Sequence, residues 1–346
     1  MSAVNIGLLM ALPQLTRIVA PHLWGWLADR GASRLRIVRL TGLAGLICFL
    51  GVFAGSGFAL LFMVLLTMTF FWSAALPLIE ATTLSHLGDE TARYGRIRVW
   101  GSVGFIAAVV AVGYFLDWFG VGALPWMVTA TMIGMLALAW HIPDANAKPH
   151  ASDHLPISNI LRKPPVIALV MASALMAAAH GPYYTFFSIH LADHGYSKSV
   201  IGWLWALGVA CEIGIFVWMP HLYRAFTLRQ ILIASFALAV ARFLMIGWGA
   251  GSLIILLVAQ ALHAATFGSF HAAAIGVVHK MFRGRHQARG QAIYGSLAFG
   301  VGGALGGFAS GYGWDYLGAG PTFSASALCA LAGMLILWRK LKLDAR

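Results

Sequence analysis

Residues 24–39, WGWLADRGASRLRIVR, set Asp29 and four arginines, Arg30, Arg34, Arg36 and Arg39, directly before a run of 40 residues, Leu40 to Ile79, that carries no charge. As helix that run would measure about 60 Å at roughly 1.5 Å per residue, twice the hydrocarbon thickness of a bilayer. It therefore crosses twice and turns at Gly55, Ser56 and Gly57. The whole chain has this character: 60% of its 346 residues are hydrophobic, 10% are charged, and the mean hydropathy is +0.82. That balance excludes an ordinary soluble domain. Because an open sheet edge cannot satisfy its backbone in lipid, it predicts an all-α integral membrane protein.

The same length test gives eleven spans, at residues 4–28, 37–54, 58–86, 96–116, 121–142, 164–192, 197–222, 228–248, 252–280, 286–311 and 317–341. Arg17 interrupts the first, and no basic stretch precedes it, so it does not read as a cleaved signal peptide. The net charge of +12 invites a nucleic-acid role, yet all of the 23 basic residues except Arg17, Lys198 and Arg242 fall in alternate connections. This positive-inside pattern argues for a lipid bilayer and against nucleic acid as the partner. It places the C-terminus in the cytoplasm and, with an odd number of spans, the N-terminus outside. Cys48, Cys211 and Cys329 fall in three different spans with neither disulfide nor metal spacing, so they read as packing residues. His150 and His154 share a loop without a third ligand, and no metal or cofactor is expected.

An internal repeat organises the spans. Ile6, Gly7, Leu9, Ala11 and Leu12 recur at an offset of 195 as Ile201, Gly202, Leu204, Ala206 and Leu207, and Pro21-His22-Leu23 recurs as Pro220-His221-Leu222. GSVGF from Gly101 is echoed at an offset of 194 by GSLAF from Gly295. The halves are residues 1–142 with five spans and 164–346 with six, joined by a polar, proline-rich cytoplasmic linker at 143–163. The second half has a span before YSKSVIG, whereas the first opens at MSAVNIG, so a further helix is expected to belong before Met1.

Two six-helix halves about a cytoplasmic loop resemble the major facilitator superfamily, here with its first helix missing. GWLADRGASR from Gly25 is similar to that superfamily's signature between its second and third helices, which clips cytoplasmic helix ends together. Gly25, Leu27, Ala28, Asp29, Arg30 and Arg34 match it; Ala32 stands where a second glycine is expected, with Gly31 one residue early. The resemblance assigns Gly25, Asp29, Arg30 and Arg34 to a cytoplasmic gate.

Ionisable groups within spans are costly and usually face a cavity. The clear cases are Arg17, Glu80, Glu212 and Arg242, joined by His180, His263 and His271. Glu80 and Arg98 are equidistant from Asp89, the apex of an antiparallel helical hairpin, and so reach similar depth and can pair. A carboxylate beside a guanidinium offers directional hydrogen bonds to a polar or anionic substrate. Gln260, His263, Phe267 and His271 fall on one stripe at 100° per residue. Arg17 and Glu212 occupy equivalent places in the two repeats, so a pseudo-two-fold axis would bring opposite charges toward a central cavity. Protonating Glu212 would then release Arg17 or Arg242 and change which halves attract. The aromatic run at Tyr183, Tyr184, Phe186 and Phe187 reads either as surface for a substrate ring, with Arg98 or Arg17 taking a carboxylate, or as a lipid-facing or interfacial band. GVGGALGGFASG from Gly300 permits close helix packing.

PLIEATTLSHLGDETARYGRIRVWGSVGF is similar to the matching helix pair of the lactose permease family of sugar and proton symporters. That likeness implies substrate binding by Glu80 and Arg98, stacking by Phe105, and, from SFALAVARFLMIG and QALHAATFGSF, coupling roles for Arg242 and His263. Thr266 and Val209 stand where that family has glutamates, which leaves Glu212, one turn after Val209, as the carboxylate to carry the proton. HGPYYTFFSIHL, RYGRIRVWGSVGFI and RGQAIYGSLAFGVGGALGG resemble the phenylpropionic acid transporter branch.

The expected function is proton-coupled symport of a small organic substrate by alternating access, an aromatic carboxylate such as 3-phenylpropionate, by a monomer in the bacterial cytoplasmic membrane. Arg17, Glu80, Arg98, Phe105, Tyr183 and Tyr184 are assigned to substrate; Glu212, Arg242, His263 and His271 are assigned to protons, the coupling ion. The alternatives are a sugar or nucleoside substrate, or a transporter inactivated by the missing helix. No nucleophile with an acid or base at catalytic spacing, metal cluster or phosphate loop points to an enzyme.

Overall fold

The computed structural model describes residues 1–30, 33–88, 90, 93–144, 157–282 and 286–341, without the side chains of Asp29 and Ala288. Gly31, Ala32, Asp89, Lys148, His150, His154, Arg283, Arg285, Lys342, Arg346 and most of the 143–163 linker therefore lie outside the described residues. Among the described residues, eleven helices are long and apolar enough to cross a membrane: α1 (Ala3–Ala28), α2 (Arg34–Ala54), α3 (Phe58–Leu87), α4 (Tyr94–Phe119), α5 (Val121–His141), α6 (Pro164–Asp193), α7 (Lys198–Ala225), α8 (Leu228–Gly249), α9 (Leu253–Met281), α10 (Arg289–Leu317) and α11 (Ala319–Lys340). Each corresponds to one expected span, and no strand occurs among the described residues.

Local chemistry sets the helix ends. Thr227 and Gln230 form a reciprocal capping box that starts α8. The Arg39 guanidinium donates to the carbonyls of Ala139 and Ile142, each at 3.0 Å, placing a cation on the unpaired C-terminal carbonyls of α5. Arg34 donates to the Ala81 carbonyl at 3.2 Å and to Ser85 Oγ at 2.8 Å, tying the start of α2 to the end of α3. Arg30 lies over the Trp26 ring at 3.9 Å. Two of the gate-motif arginines thus have partners, while the Asp29 side chain lies outside the description.

Several spans are interrupted. Helix α3 breaks at Ser73–Ala74 and α6 at His180, ahead of Gly181-Pro182, where the proline contributes no N–H. Helices α9 and α10 contain π-helical segments at Ala264–Ser269 and Ser296–Val301. The largest core lies in the second half, where Phe236, Phe243, Phe270 and Phe323 are fully buried. A smaller cluster around Ile37, Val38, Ala74, Leu78 and Ala139 holds α2, α3 and α5 of the first half.

The halves meet chiefly through two helix pairs, α1 on α10 and α4 on α7, with a smaller contact of α1 on α6. The repeats match α1 to α7 and α4 to α10, so each pair is the image of the other under the pseudo-two-fold relation. The GVGGALGG stretch allows α10 to touch two helices at once. Gly302 and Gly306 admit the backbone of α6 at Ala174 and Ala178, while Gly303 and Gly307 lie against α1 at Gln14 and Ala11. A side chain at Gly306 would drive into the Ala178 carbonyl. Gly306→Val is therefore expected to lower stability by about 1–3 kcal/mol, read as a fall in Tm of the purified protein.

Candidate functional site

The α3–α4 hairpin brings Glu80 and Arg98 together, with Arg98 Nε 3.4 Å from Glu80 Oε1. Both side chains stay partly open, at 36% and 51% exposure, so the pair retains hydrogen-bonding capacity for a third group. Phe105 stands exposed on α4 two turns beyond Arg98. Arg17, on α1, is exposed and donates to Gln14 Oε1 at 3.4 Å. A nearby cavity of about 270 Å³ is lined by Leu35, Ile79, Thr83, His86 and Ile97 among others, and none of its lining residues is an acid, lysine or arginine.

In the second half, helices α6, α8 and α9 build a polar cluster inside an apolar core. Arg242 is fully buried and makes no ion pair with a carboxylate among the described residues. Its Nε donates to the Ala259 carbonyl at 3.0 Å, Nη1 to Thr266 Oγ1 and His180 Nε2 at 3.3 Å each, and Nη2 to Gln260 Oε1 at 3.5 Å. Its guanidinium also lies 4.2 Å from the Tyr183 ring centroid. His180 Nδ1 sits 2.8 Å from the Met176 carbonyl, which only accepts. The hydrogen therefore belongs on Nδ1, and Nε2 presents a lone pair to Arg242. Gln260 completes the cluster through the Leu204 carbonyl at 2.8 Å and the Tyr183 hydroxyl.

Glu212 stands on α7 at the edge of this cluster, its Oε2 3.8 Å from His263 Nε2. Gly268 makes room for it, since a side chain there would meet Glu212 Cγ at 3.1 Å. The sequence offset suggests a Glu212–Arg17 attraction, with Arg242 as the other cation. The structure corrects this: among the described residues neither arginine pairs with Glu212. Arg242 is turned into the core and engaged by neutral acceptors, and Arg17 is held by Gln14.

The α9 stripe is an aromatic stack. Phe267 lies between His263 and His271, with centroids 5.4 and 6.2 Å away and ring planes within 12° and 8°. The π-segment widens the turn so that residues four apart eclipse more closely than in an α-helix. His263 Nδ1 and His271 Nδ1 are buried without a hydrogen-bond partner. The two tyrosines divide. Tyr183 is buried beneath Arg242, whereas Tyr184 is 41% exposed and stacks on Trp205 at 6.3 Å and on His180 at 5.9 Å. Trp205 also meets Tyr183 at 4.6 Å and is fixed by Ser188 Oγ at 3.0 Å. The roles of Trp205 and Thr266 were not anticipated from sequence. The only signal for Trp205 was its place within the repeated IGWLWAL segment.

The site residues thus include a guanidinium–carboxylate pair, Arg98 and Glu80, a carboxylate–imidazole pair, Glu212 and His263, and the stacked rings of Tyr184 and Trp205. Known proteins share the architecture. The chain is 29% identical over 343 residues to the "Probable 3-phenylpropionic acid transporter" of Escherichia coli (strain K12), covering 96% of this chain and 88% of that one. It is 24% identical over 341 residues to the maltose permease of Geobacillus stearothermophilus, covering 97% and 86%. Among solved structures, that of the nucleoside transporter NupG superposes with a TM-score of 0.85 at 17% identity, over 99% of this chain and 92% of that one. That of a mutant of the peptide transporter POT superposes with a TM-score of 0.78 at 15% identity, over 97% and 85%. The sequence model of the MFS_1 like family matches residues 1–325, and the chain belongs to that family of membrane transporters.

Proposed function

We propose that this transporter is a proton-coupled symporter that imports a small aromatic carboxylate, with 3-phenylpropionate as the substrate to test first. The observation that carries the reading is a pair of carboxylates within the spans, one in each half, each held by a basic partner: Glu80 by Arg98 and Glu212 by His263. A carboxylate arriving at Arg98 competes with Glu80 for the guanidinium, so a proton carried with the anion offsets the added negative charge. Tyr184 and Trp205 offer the ring a stacking surface. Substrate anion and proton then move together as a neutral pair. The second reading, a sugar or nucleoside, is favoured by the similarity to the maltose permease and to NupG. The positive-inside pattern orients the chain with its C-terminus in the cytoplasm of a bacterial cell.

Competition decides between substrates. In proteoliposomes, unlabelled 3-phenylpropionate is expected to suppress uptake of labelled 3-phenylpropionate while maltose and uridine do not; the reverse order selects the second reading. Glu80→Gln removes the charge that orients Arg98 and is expected to weaken substrate binding about tenfold, the scale of one hydrogen bond to a charged group. Binding titration of wild type and variant checks this.

A further inference from the structure

Asp117 and Asp315 sit in the last turns of α4 and α10, where an acid opposes the dipole of its own helix. Each is explained by the opposite half. Asp117 accepts from the backbone N–H groups of Lys198 and Ser199, at 2.7 and 2.8 Å, the first two residues of α7. Asp315 accepts from those of Ala3 and Val4, both at 2.9 Å, the first two residues of α1. The third N–H of each helix goes to its own cap, Asn5 to Ser2 Oγ and Val200 to Ser197 Oγ, both at 3.3 Å. The backbone closes in the same way beside each acid: a side chain at Gly113 would meet the Lys198 carbonyl at 2.6 Å, and one at Gly311 the Ala3 carbonyl at 2.6 Å. The four groups form two equivalent catches, one on each interdomain helix pair.

Both catches lie at the end opposite the arginine-rich connections. Toward the arginine-rich end the glycines of the same helices have no close neighbour: a side chain at Gly25 of α1, Gly95 of α4, Gly214 of α7 or Gly295 of α10 would meet nothing within 4 Å. Rocking of the halves has to break whichever end is closed, and at this end it strips the orphan N–H groups of two helices from two carboxylates. We propose that Asp117 and Asp315 are the catches of the gate opposite the arginine-rich face, and that their release is the step that opens that face in the transport cycle. The catch involves neither the coupling acid nor the substrate-facing groups, so it stands whichever substrate is carried.

Hydrogen-exchange mass spectrometry on the full chain in nanodiscs tests this with wild type, Asp117→Asn, Asp315→Asn and the double variant. A gate predicts opposed changes in the double variant: exchange at least about threefold faster over residues 3–10 and 198–205, and at least about threefold slower over 94–101 and 214–225, as the population shifts to the state open at the catch end. A purely structural cap predicts faster exchange at the catch end alone, and that result overturns the proposal. Should the double variant not fold, each single variant keeps one catch and is expected to show the same opposed pattern in smaller degree; a one-sided change there overturns it equally.

Discussion

Glu212→Gln is expected to reduce gradient-driven uptake to the level of protein-free liposomes while leaving substrate exchange near wild type. Glutamine preserves the shape of the side chain and fixes it in a permanently neutral state, so the carrier behaves as if always protonated at this site. Exchange needs only that the loaded carrier reorient; net accumulation needs a proton to be released on one side and taken up on the other. One pH unit provides about 1.36 kcal/mol, so wild type working at one proton per substrate anion is driven to about a tenfold gradient. The glutamine variant loses that drive entirely. The local geometry makes Glu212 the sensitive position, because its carboxylate lies 3.8 Å from His263 of its own half. Paired measurements of counterflow and initial-rate uptake check the prediction, and equal loss of both would assign Glu212 to substrate binding instead.

Arg242→Leu is expected to be among the most destabilising single changes in the protein, at about 3–5 kcal/mol, visible as a large fall in Tm or in folded yield. Leucine removes the guanidinium but leaves the Ala259 carbonyl, Thr266 Oγ1, Gln260 Oε1 and the His180 lone pair buried around it. Arg242→Lys keeps the charge and stem but not the planar fork that reaches these acceptors. It is expected to recover roughly half of the lost stability. Thermal unfolding of both variants separates the two effects.

The spans were legible from composition because length and charge alone decide a transmembrane helix, and the duplication was legible because Ile6-Gly7 and Ile201-Gly202 lie at a constant offset. The proximity of Glu80 and Arg98 followed from counting residues about a hairpin apex. Arg242 was harder. Its position inside a span was evident, but acceptors from α6, α8 and α9 can be assembled only by tertiary packing. The Glu212–His263 contact was hidden for the same reason, and the π-segment that aligns the α9 rings leaves no simple periodic trace. The second part of the repeat is hidden in the sequence because four residues are inserted in α10. AVGYFLDWFGVG from Ala111 matches ASGYGWDYLGAG from Ala309 at an offset of 198, not 194, which conceals the equivalence of Asp117 and Asp315. The π-helical turn at Ser296–Val301 lies close to that insertion and helps absorb its extra rotation.

The central claim, coupling of an aromatic carboxylate to protons, is tested most directly by initial-rate uptake of labelled 3-phenylpropionate into proteoliposomes with and without an imposed inward proton gradient. Protein-free liposomes run in parallel, because the neutral acid crosses lipid unaided. The account predicts a saturable rate that rises with the gradient and collapses to the protein-free level when a protonophore is added. A protein-dependent rate indifferent to the gradient would contradict it.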